Sequence, residues 1–127
     1  MKTILVDAVD TFVLEGIGIY NPLQDLLDQY KNPKIILTNA NDEQIIKFGL
    51  TNLPYELFTL KHNPDKTDPA YFKQMLEHFK LKSEDVIYFE HNIEAVKSAE
   101  SVGIVSHYYD SEKKDLESLK TFLNQNI

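Results

Sequence analysis

The chain of 127 residues predicts an α/β fold, in which a doubly wound parallel sheet of about five strands lies between two layers of helices. Two observations lead to this prediction. Short, continuous apolar runs recur along the chain, as is typical of strands buried on both faces. Amphipathic segments with helical spacing separate these runs. The length suits one hydrophobic core, so residues 1–127 are predicted to form a single domain.

The first strand and helix are indicated near the amino terminus. An apolar run over residues 3–6 stops at Asp7. A loop is predicted next, because Gly16 and Gly18 lie in this segment. Apolar and aromatic residues at helical spacing over residues 23–30 then predict the first helix.

The second unit follows the same order. The apolar run over residues 35–37 predicts a strand that ends at Thr38. Asn41 is followed three residues later by Gln44, which predicts a capping box at the start of a helix. We expect this helix to carry Ile45, Ile46 and Phe48 on its buried side and to stop at Gly49.

The third and fourth units carry clear helix starts. Residues 57–60 predict a short strand, and Asp68 with Pro69 predicts the N-cap and first turn of the helix that follows. The apolar run over residues 86–89 predicts another strand. It is followed by residues 90–92, where a further helix is predicted to begin.

The last unit completes the alternation. Gly103 is predicted to end the fourth helix, and residues 104–106 form the fifth apolar run. Ser111 is predicted to cap a final helix with apolar residues between positions 116 and 123.

Ligands of open α/β sheets bind beyond the carboxyl ends of the strands. The polar residues predicted at those ends are therefore the candidate functional residues, and Lys66 lies on a loop that can fold over the same end. The strand-end residues are Asp7, Asp10, Thr11, Thr38, Asn39, Glu90, His91 and Asn92.

Composition excludes several classes of protein. The net charge of −7 argues against nucleic acid as a main partner, because an acidic surface repels phosphate backbones. The chain has no cysteine, which excludes disulfides, thiolate metal sites and cysteine nucleophiles. No apolar run approaches the roughly 18 residues that a bilayer-spanning helix needs. These features predict a cytoplasmic protein with no membrane partner.

The candidate residues suit phosphoryl transfer. A carboxylate at the end of a central strand, here Asp7, can attack phosphorus and form an aspartyl phosphate. Phosphoryl oxygens need hydroxyl and backbone donors, which Thr38 and Asn39 can supply, and Lys66 can neutralise developing charge. A divalent metal such as Mg²⁺ prefers carboxylate oxygens. Asp7 and Glu90 can supply such oxygens at the strand ends.

Four motifs in order resemble the haloacid dehalogenase superfamily, whose members are mostly Mg²⁺-dependent phosphatases. The segments ILVDAVDT, IILTNAN, KTDPAYF and VIYFEHNIEAVKSAESVG resemble the family's four motifs and span nearly the whole chain. The resemblance places Asp7 on the nucleophile, Thr11 on the threonine of the first motif, Thr38 with Asn39 on the second motif and Lys66 on the motif lysine. It implies a Rossmann-like core and hydrolysis through an aspartyl ester. It also implies that Asp7 and Glu90 hold the metal, with Glu94 as the alternative to Glu90.

The motifs also depart from the family pattern. The family's general acid/base aspartate falls on Val9, which cannot donate a proton to a leaving group. Asp10 replaces a glycine, and the acidic pair of the fourth motif reads Glu90-His91. A histidine is a poorer Mg²⁺ ligand than a carboxylate, so His91 is interpreted as a polar residue at a helix start.

The resemblance also bears on how the site is covered. DAVDT looks more like the first motif of dehalogenases and phosphonate-cleaving members, which carry cap domains, than like DxDGT. Only about fifteen residues separate Thr11 from the first helix, too few for a cap. The resemblance implies that cap-less members take large or exposed substrates, or cover the site by oligomerising. For this chain we therefore expect a small or exposed phosphorylated substrate, or a homo-oligomer that covers the site.

Two functional hypotheses follow. The first is a Mg²⁺-dependent phosphohydrolase, an enzyme that acts through Asp7 and favours good leaving groups because Val9 supplies no proton. The second is a catalytically inactive relative that keeps the fold for binding or assembly. A receiver-type phosphoacceptor domain is set aside, because the first strand is not followed by adjacent acids and the third leads into Lys61 instead of an aspartate.

Overall fold

A computed structural model describes residues 1–127 and confirms the α/β prediction. Five parallel strands form the main sheet, and two short strands form a separate hairpin. In chain order the elements are β1 (Thr3–Asp7), β2 (Val13–Leu14), β3 (Gly18–Ile19), α1 (Asn21–Leu27), β4 (Lys34–Thr38), α2 (Asp42–Lys47), β5 (Glu56–Thr59), α3 (Pro69–Phe79), a 3₁₀ turn (Ser83–Asp85), β6 (Val86–Glu90), α4 (Ile93–Ser101), β7 (Val105–Tyr108) and α5 (Leu116–Asn126).

The main sheet has the strand order β5-β4-β1-β6-β7, so β1 lies at its centre. Leu5 of β1 pairs with Ile35 of β4 on one side and with Tyr88 of β6 on the other. Every residue of β1 and β6 is buried, which explains why these strands read as continuous apolar runs. This register sets the ends of β4, β1 and β6 side by side.

Helices cover both faces of the sheet, which confirms the three-layer prediction. On one face α1 and α5 contribute Leu23, Leu27, Leu119 and Leu123 to a core of 16 buried residues. On the other face α3 and α4 contribute to a core of 11 buried residues that includes Phe72. None of the helices is long and apolar enough to span a bilayer.

The segment after β1 differs from the predicted loop. Val13 pairs with Ile19 and Leu14 with Gly18, so the strands β2 and β3 form an antiparallel hairpin. Two residues per strand are too few to produce an alternating pattern, which is why the sequence did not indicate them. The hairpin is fixed to the domain by Tyr20, whose N–H donates to the Phe12 carbonyl over 2.8 Å.

The capping box of α2 is confirmed. Asn41 Oδ1 accepts from the Gln44 N–H at 2.9 Å, and Gln44 Oε1 accepts from the Asn41 N–H at 3.0 Å. The predicted burial of Ile46 is wrong, since this side chain is 76% exposed. Adjacent helical residues project about 100° apart, so Ile45 packs against the core while Ile46 points away from it.

The predicted start of the last helix is also wrong. Ser111 lies in a turn held by Asp110, whose Oδ1 accepts from the N–H groups of Glu112 and Lys113. The N-cap of α5 is Asp115, four residues later, and the helix begins at Leu116. Two capping side chains in close succession offer alternative starts, and the turn at Asp110 selects the second.

Candidate active site

The candidate site lies where three neighbouring strands end. Asp7 is the last residue of β1, Thr38 of β4 and Glu90 of β6. Lys66 comes from the loop between β5 and α3 and is buried with them. The structure therefore brings together the residues predicted to act on phosphate, at the carboxyl edge where the topology places ligand sites.

Lys66 connects two buried carboxylates. Its Nζ lies 2.8 Å from Asp7 Oδ1 and 2.7 Å from Glu90 Oε1, and it also donates to the Leu37 carbonyl. The Lys66 backbone N–H donates to Asn39 Oδ1 at 2.7 Å. Asn39, predicted as a phosphate-binding residue, thus holds the loop that delivers the lysine to Asp7.

Asp7 is surrounded by donors. Its Oδ2 accepts from Thr11 Oγ1 at 2.7 Å and from the His91 N–H at 3.2 Å. The His91 ring nitrogen Nδ1 also contacts Oδ2. Together with the Lys66 contact at Oδ1, these groups fix the carboxylate in one orientation on the central strand.

The charges of this cluster support one another. Burial opposes ionisation of Asp7, but the Lys66 ammonium group and the His91 ring outweigh it and hold the Asp7 pKa well below its usual range. Burial likewise opposes the charge on Lys66, yet the nearby Asp7 and Glu90 carboxylates raise the Lys66 pKa above its ordinary value. At neutral pH Asp7 is therefore a carboxylate and Lys66 an ammonium ion.

Glu90 is held from three directions. The Tyr88 hydroxyl donates to Oε1, which also accepts from Lys66, and the Asn92 N–H donates to Oε2 at 3.1 Å. Burial and the Glu90 carboxylate raise the pKa of the Tyr88 phenol well above its ordinary value, so this hydroxyl stays a donor. Glu90 is consequently as rigidly placed as Asp7.

His91 has a larger role than the sequence indicated. It precedes Asn92, the N-cap of α4, as a polar residue at a helix start should. Its ring also turns inward, where Nδ1 contacts Asp7 Oδ2 and lies 3.3 Å from Glu90 Oε2. These hydrogen bonds to Asp7 and Glu90 raise the pKa of His91 to about 10.

Thr38 lies in a tight strand-to-loop turn. Its Oγ1 accepts from the Ala40 N–H at 3.2 Å, and its carbonyl accepts from the Tyr71 hydroxyl at 2.9 Å. The side chain lines the cavity beside Asp7, so its hydroxyl proton remains available to a ligand. The roles of Thr11, Thr38 and Asn39 toward phosphate stay predictions.

An open cavity of about 170 Å³ lies over these groups. His62, which was not among the predicted site residues, forms part of its wall and is held between Asp65 Oδ1 at 2.7 Å and Gln44 Oε1 at 2.6 Å. The loop between β5 and α3, which carries His62, could not be placed from the sequence because no periodic pattern of apolar residues covers it. The lining residues include Asp7, Val9, Thr38, Asn39, Phe48, His62, Lys66, Glu90, His91 and Ala95.

Three side chains in the cavity are able to hold a metal ion. One potential ligand atom from each of Asp7, Glu90 and His91 lies within 4.8 Å of the others. Glu94, the alternative ligand, is not among them, because it lies exposed on the first turn of α4, 3.6 Å from Lys97. The donor set fits a divalent cation, although one of its three members is a nitrogen where Mg²⁺ prefers oxygen.

Comparisons with protein-family models and with curated proteins give no match. Solved structures of similar fold exist, however. A HAD family enzyme from Bacteroides thetaiotaomicron, in complex with magnesium and inorganic phosphate, is 12% identical with a TM-score of 0.68, over 87% of this chain and 95% of that one. An uncharacterized protein from Corynebacterium glutamicum is 18% identical with a TM-score of 0.61, over 96% of this chain and 95% of that one.

A HAD-superfamily hydrolase of subfamily IA from Geobacter sulfurreducens is 15% identical with a TM-score of 0.60. It covers 81% of this chain, which in turn covers 56% of it. These similarities show that the chain has the haloacid dehalogenase-like fold, as the four motifs predicted.

Proposed function

We propose that this protein is a HAD-like hydrolase that cleaves phosphate esters through an aspartyl ester at Asp7. The observation that carries the proposal is the placement of Asp7. It is an ionised carboxylate at the end of the central strand, with Lys66 Nζ 2.8 Å away, at the base of an open cavity. A fixed carboxylate beside a fixed cation is the arrangement that attack on phosphorus requires.

The reaction has two steps. An oxygen of Asp7 attacks phosphorus, so that a new O–P bond forms while the ester P–O bond breaks and the leaving oxygen departs with the electron pair. Water then attacks the phosphorus of the aspartyl phosphate, which releases inorganic phosphate and restores the Asp7 carboxylate. One proton of that water goes to solvent, and the departing oxygen takes its proton from solvent.

The surrounding residues have distinct roles in this scheme. Lys66 holds Asp7 in place and offers positive charge to the phosphoryl oxygens. Thr38, beside Asp7 in the cavity, can donate its hydroxyl proton to one of these oxygens. Thr11 donates to Asp7 Oδ2 at 2.7 Å and limits rotation of the nucleophile. Asn39 acts through Lys66, whose backbone it holds.

A divalent cation would be held by Asp7 and Glu90, with His91 as the third donor. When bound, it would neutralise charge on the phosphoryl group during transfer. The carboxylates are already oriented for this, since Lys66 occupies Oδ1 of Asp7 and Oε1 of Glu90 and leaves the opposite oxygens facing His91.

The substrate is expected to have a good leaving group. Val9 lines the cavity at the position where the resemblance places a proton donor, and its side chain cannot protonate a departing oxygen. The cavity is open, which suits small phosphorylated molecules or exposed phosphoryl groups on larger ones. The net charge of −7 disfavours nucleic acids.

The direct test is hydrolysis of p-nitrophenyl phosphate with Mg²⁺ or Mn²⁺ by wild-type protein and by Asp7→Asn. We expect turnover to fall at least about 10³-fold in the variant, because an amide is a poor nucleophile. Asp25→Asn is the matched control, since Asp25 is exposed on α1 and does not line the cavity. Equal turnover by wild type and Asp7→Asn would contradict the proposal.

The second candidate is a catalytically inactive protein that uses the fold for binding or assembly. The observation that favours it is the saturation of Asp7, whose two oxygens already accept from Lys66, Thr11 and His91. A well-folded wild-type sample that hydrolyses no activated ester with any divalent cation would select this alternative.

A further inference from the structure

We propose that the site formed by Asp7, Glu90 and His91 selects a divalent transition metal such as Mn²⁺, Co²⁺ or Zn²⁺ over Mg²⁺. The inference deepens the proposed function by naming the class of cation, and it rests on that same site. It departs from the magnesium that the fold resemblance implies, because it starts from the atoms that this chain offers to a cation.

The donor atoms are one nitrogen and two oxygens. His91 Nδ1 contacts Asp7 Oδ2 and lies 3.3 Å from Glu90 Oε2. Two metal–ligand bonds of about 2.1 Å at a tetrahedral angle separate their donor atoms by roughly 3.4 Å. The Nδ1–Oε2 separation therefore matches two donors that share one cation. The cation would replace the proton that Nδ1 now shares with Asp7 Oδ2, and these two atoms would move apart to admit it.

The carboxylates cannot easily turn other atoms toward the cation. Lys66 binds Oδ1 of Asp7 and Oε1 of Glu90, and both carboxylates are only 1% exposed. Their remaining oxygens are consequently directed at the His91 ring. A cation bound by these two oxygens therefore also coordinates the imidazole nitrogen of His91, or it binds with one ligand fewer.

An imidazole nitrogen discriminates between cations. Mg²⁺ is a hard ion that takes oxygen ligands almost exclusively, whereas Mn²⁺, Co²⁺ and Zn²⁺ bind imidazole readily. Lys66 also offsets part of the carboxylate charge, which weakens the electrostatic attraction on which Mg²⁺ depends. Both effects favour the transition metals.

The second ring nitrogen of His91 also bears on whether this residue can act as a metal ligand. Its Nε2 lies 3.9 Å from Asp10 Oδ2. Metal-bound histidines typically donate their second ring N–H to a carboxylate, which orients the ring and increases its basicity. At 3.9 Å Asp10 is within ion-pair distance and would need to move closer to accept this hydrogen bond. Asp10 reaches this place from a left-handed backbone conformation, with φ of 68°. An aspartate adopts that conformation more readily than most residues do.

The test is calorimetric titration of metal-stripped protein with Mg²⁺ and with Mn²⁺, in the absence of substrate. We expect wild type to bind Mn²⁺ at least about tenfold more tightly than Mg²⁺. In His91→Asp, where a carboxylate replaces the imidazole, we expect this ratio to fall by about tenfold. His78→Gln is the matched control, since His78 is exposed on α3, outside the cavity, and should keep the wild-type ratio.

A second measurement needs no variant. Addition of Zn²⁺ to wild-type protein should shift the imidazole NMR signals of His91 before those of the other three histidines. The proposal is overturned if neither Mn²⁺ nor Zn²⁺ binds, if the His91 signals do not move, or if His91→Asp keeps the wild-type ratio. These readouts are independent of hydrolysis, so a failed activity assay would test only the proposed function.

Discussion

Lys66 Nζ lies 2.7 Å from Glu90 Oε1, and both side chains are almost completely buried. The two residues belong to different elements, the loop before α3 and the end of β6. Their ion pair, together with the contact from Lys66 to Asp7, joins that loop to the sheet. The same contacts make the site sensitive to the loss of one charge.

Lys66→Met tests this dependence. The change leaves Asp7 and Glu90 buried without their common cation, so we expect the free energy of unfolding to fall by about 3 kcal/mol or more. Urea unfolding followed by circular dichroism measures it. Lys73→Met, at an exposed position of α3, should change it by less than about 0.5 kcal/mol. Similar values for the two variants would contradict the ion-pair assignment.

Stability should depend on pH in two windows. Hydrogen bonds to Asp7 and Glu90 raise the His91 pKa from 6.5 to about 10, so the folded protein binds a proton that the unfolded chain releases between these values. This contribution is complete below about pH 6.5 and is lost as the pH rises to about 10.

Asp7 has the opposite dependence. Burial alone would raise its pKa, but Lys66 and His91 hold it below the ordinary value of 3.8, so its contribution to stability is lost as the pH falls below that value.

The contribution of His91 can be measured in the alkaline window. Denaturant unfolding of metal-free protein from pH 6 to 10 should show declining stability, with a smaller decline in His91→Gln. An identical decline in both proteins would exclude His91 as the cause.

Val9→Asp should change the range of substrates. The new carboxyl group would lie in the cavity at the position of the missing proton donor, so turnover of phenyl phosphate should rise by about 10²-fold. Turnover of p-nitrophenyl phosphate should change little, because that leaving group needs no proton. Val9→Asn is the matched control of equal size without a transferable proton, and an equal gain in it would refute the acid role.

Tyr88→Phe should destabilise the protein, because it removes one of the hydrogen bonds that hold Glu90. The hydroxyl donates to Oε1 from a fully buried position, so its removal should lower the free energy of unfolding by about 2 kcal/mol. Tyr108→Phe provides the comparison, since Tyr108 is 48% exposed on the edge strand β7. Thermal or urea unfolding separates the two, and equal stability of both variants would contradict the prediction.

The sequence predicted the ends of the three central strands well, because β1, β4 and β6 are each a short apolar run that stops at a polar residue. It placed the edge strands β5 and β7 less accurately, since β7 runs over Val105–Tyr108 instead of residues 104–106 and β5 over Glu56–Thr59 instead of residues 57–60. Asp7, Thr38 and Glu90 were found in this way, and Lys66 was predicted from its loop, in agreement with the motif resemblance. The inward turn of His91 could not be predicted. It depends on the pairing of β1 with β6, which places residue 91 beside residue 7 although 84 positions separate them.

The errors have a common physical origin. Ile46, Ser111 and the hairpin strands were judged from local patterns that fit more than one arrangement, and tertiary contacts selected between them. At Ser111, for example, Asp110 Oδ1 accepts hydrogen bonds from two backbone N–H groups, and these bonds hold the segment in a turn instead of a helix. Glu94 was a reasonable ligand by its spacing, but its position on the exposed side of α4 keeps it outside the donor cluster.

The central position of β1 has a consequence for how the protein folds. The contacts of Asp7 reach 59 residues forward to Lys66 and 84 residues forward to His91. Closing such long loops costs chain entropy before any contact is gained, so parallel sheets of this kind form slowly compared with helical bundles. The contact of His91 with Asp7 closes the longer of these two loops, so during refolding it should form after the local contacts of the helices.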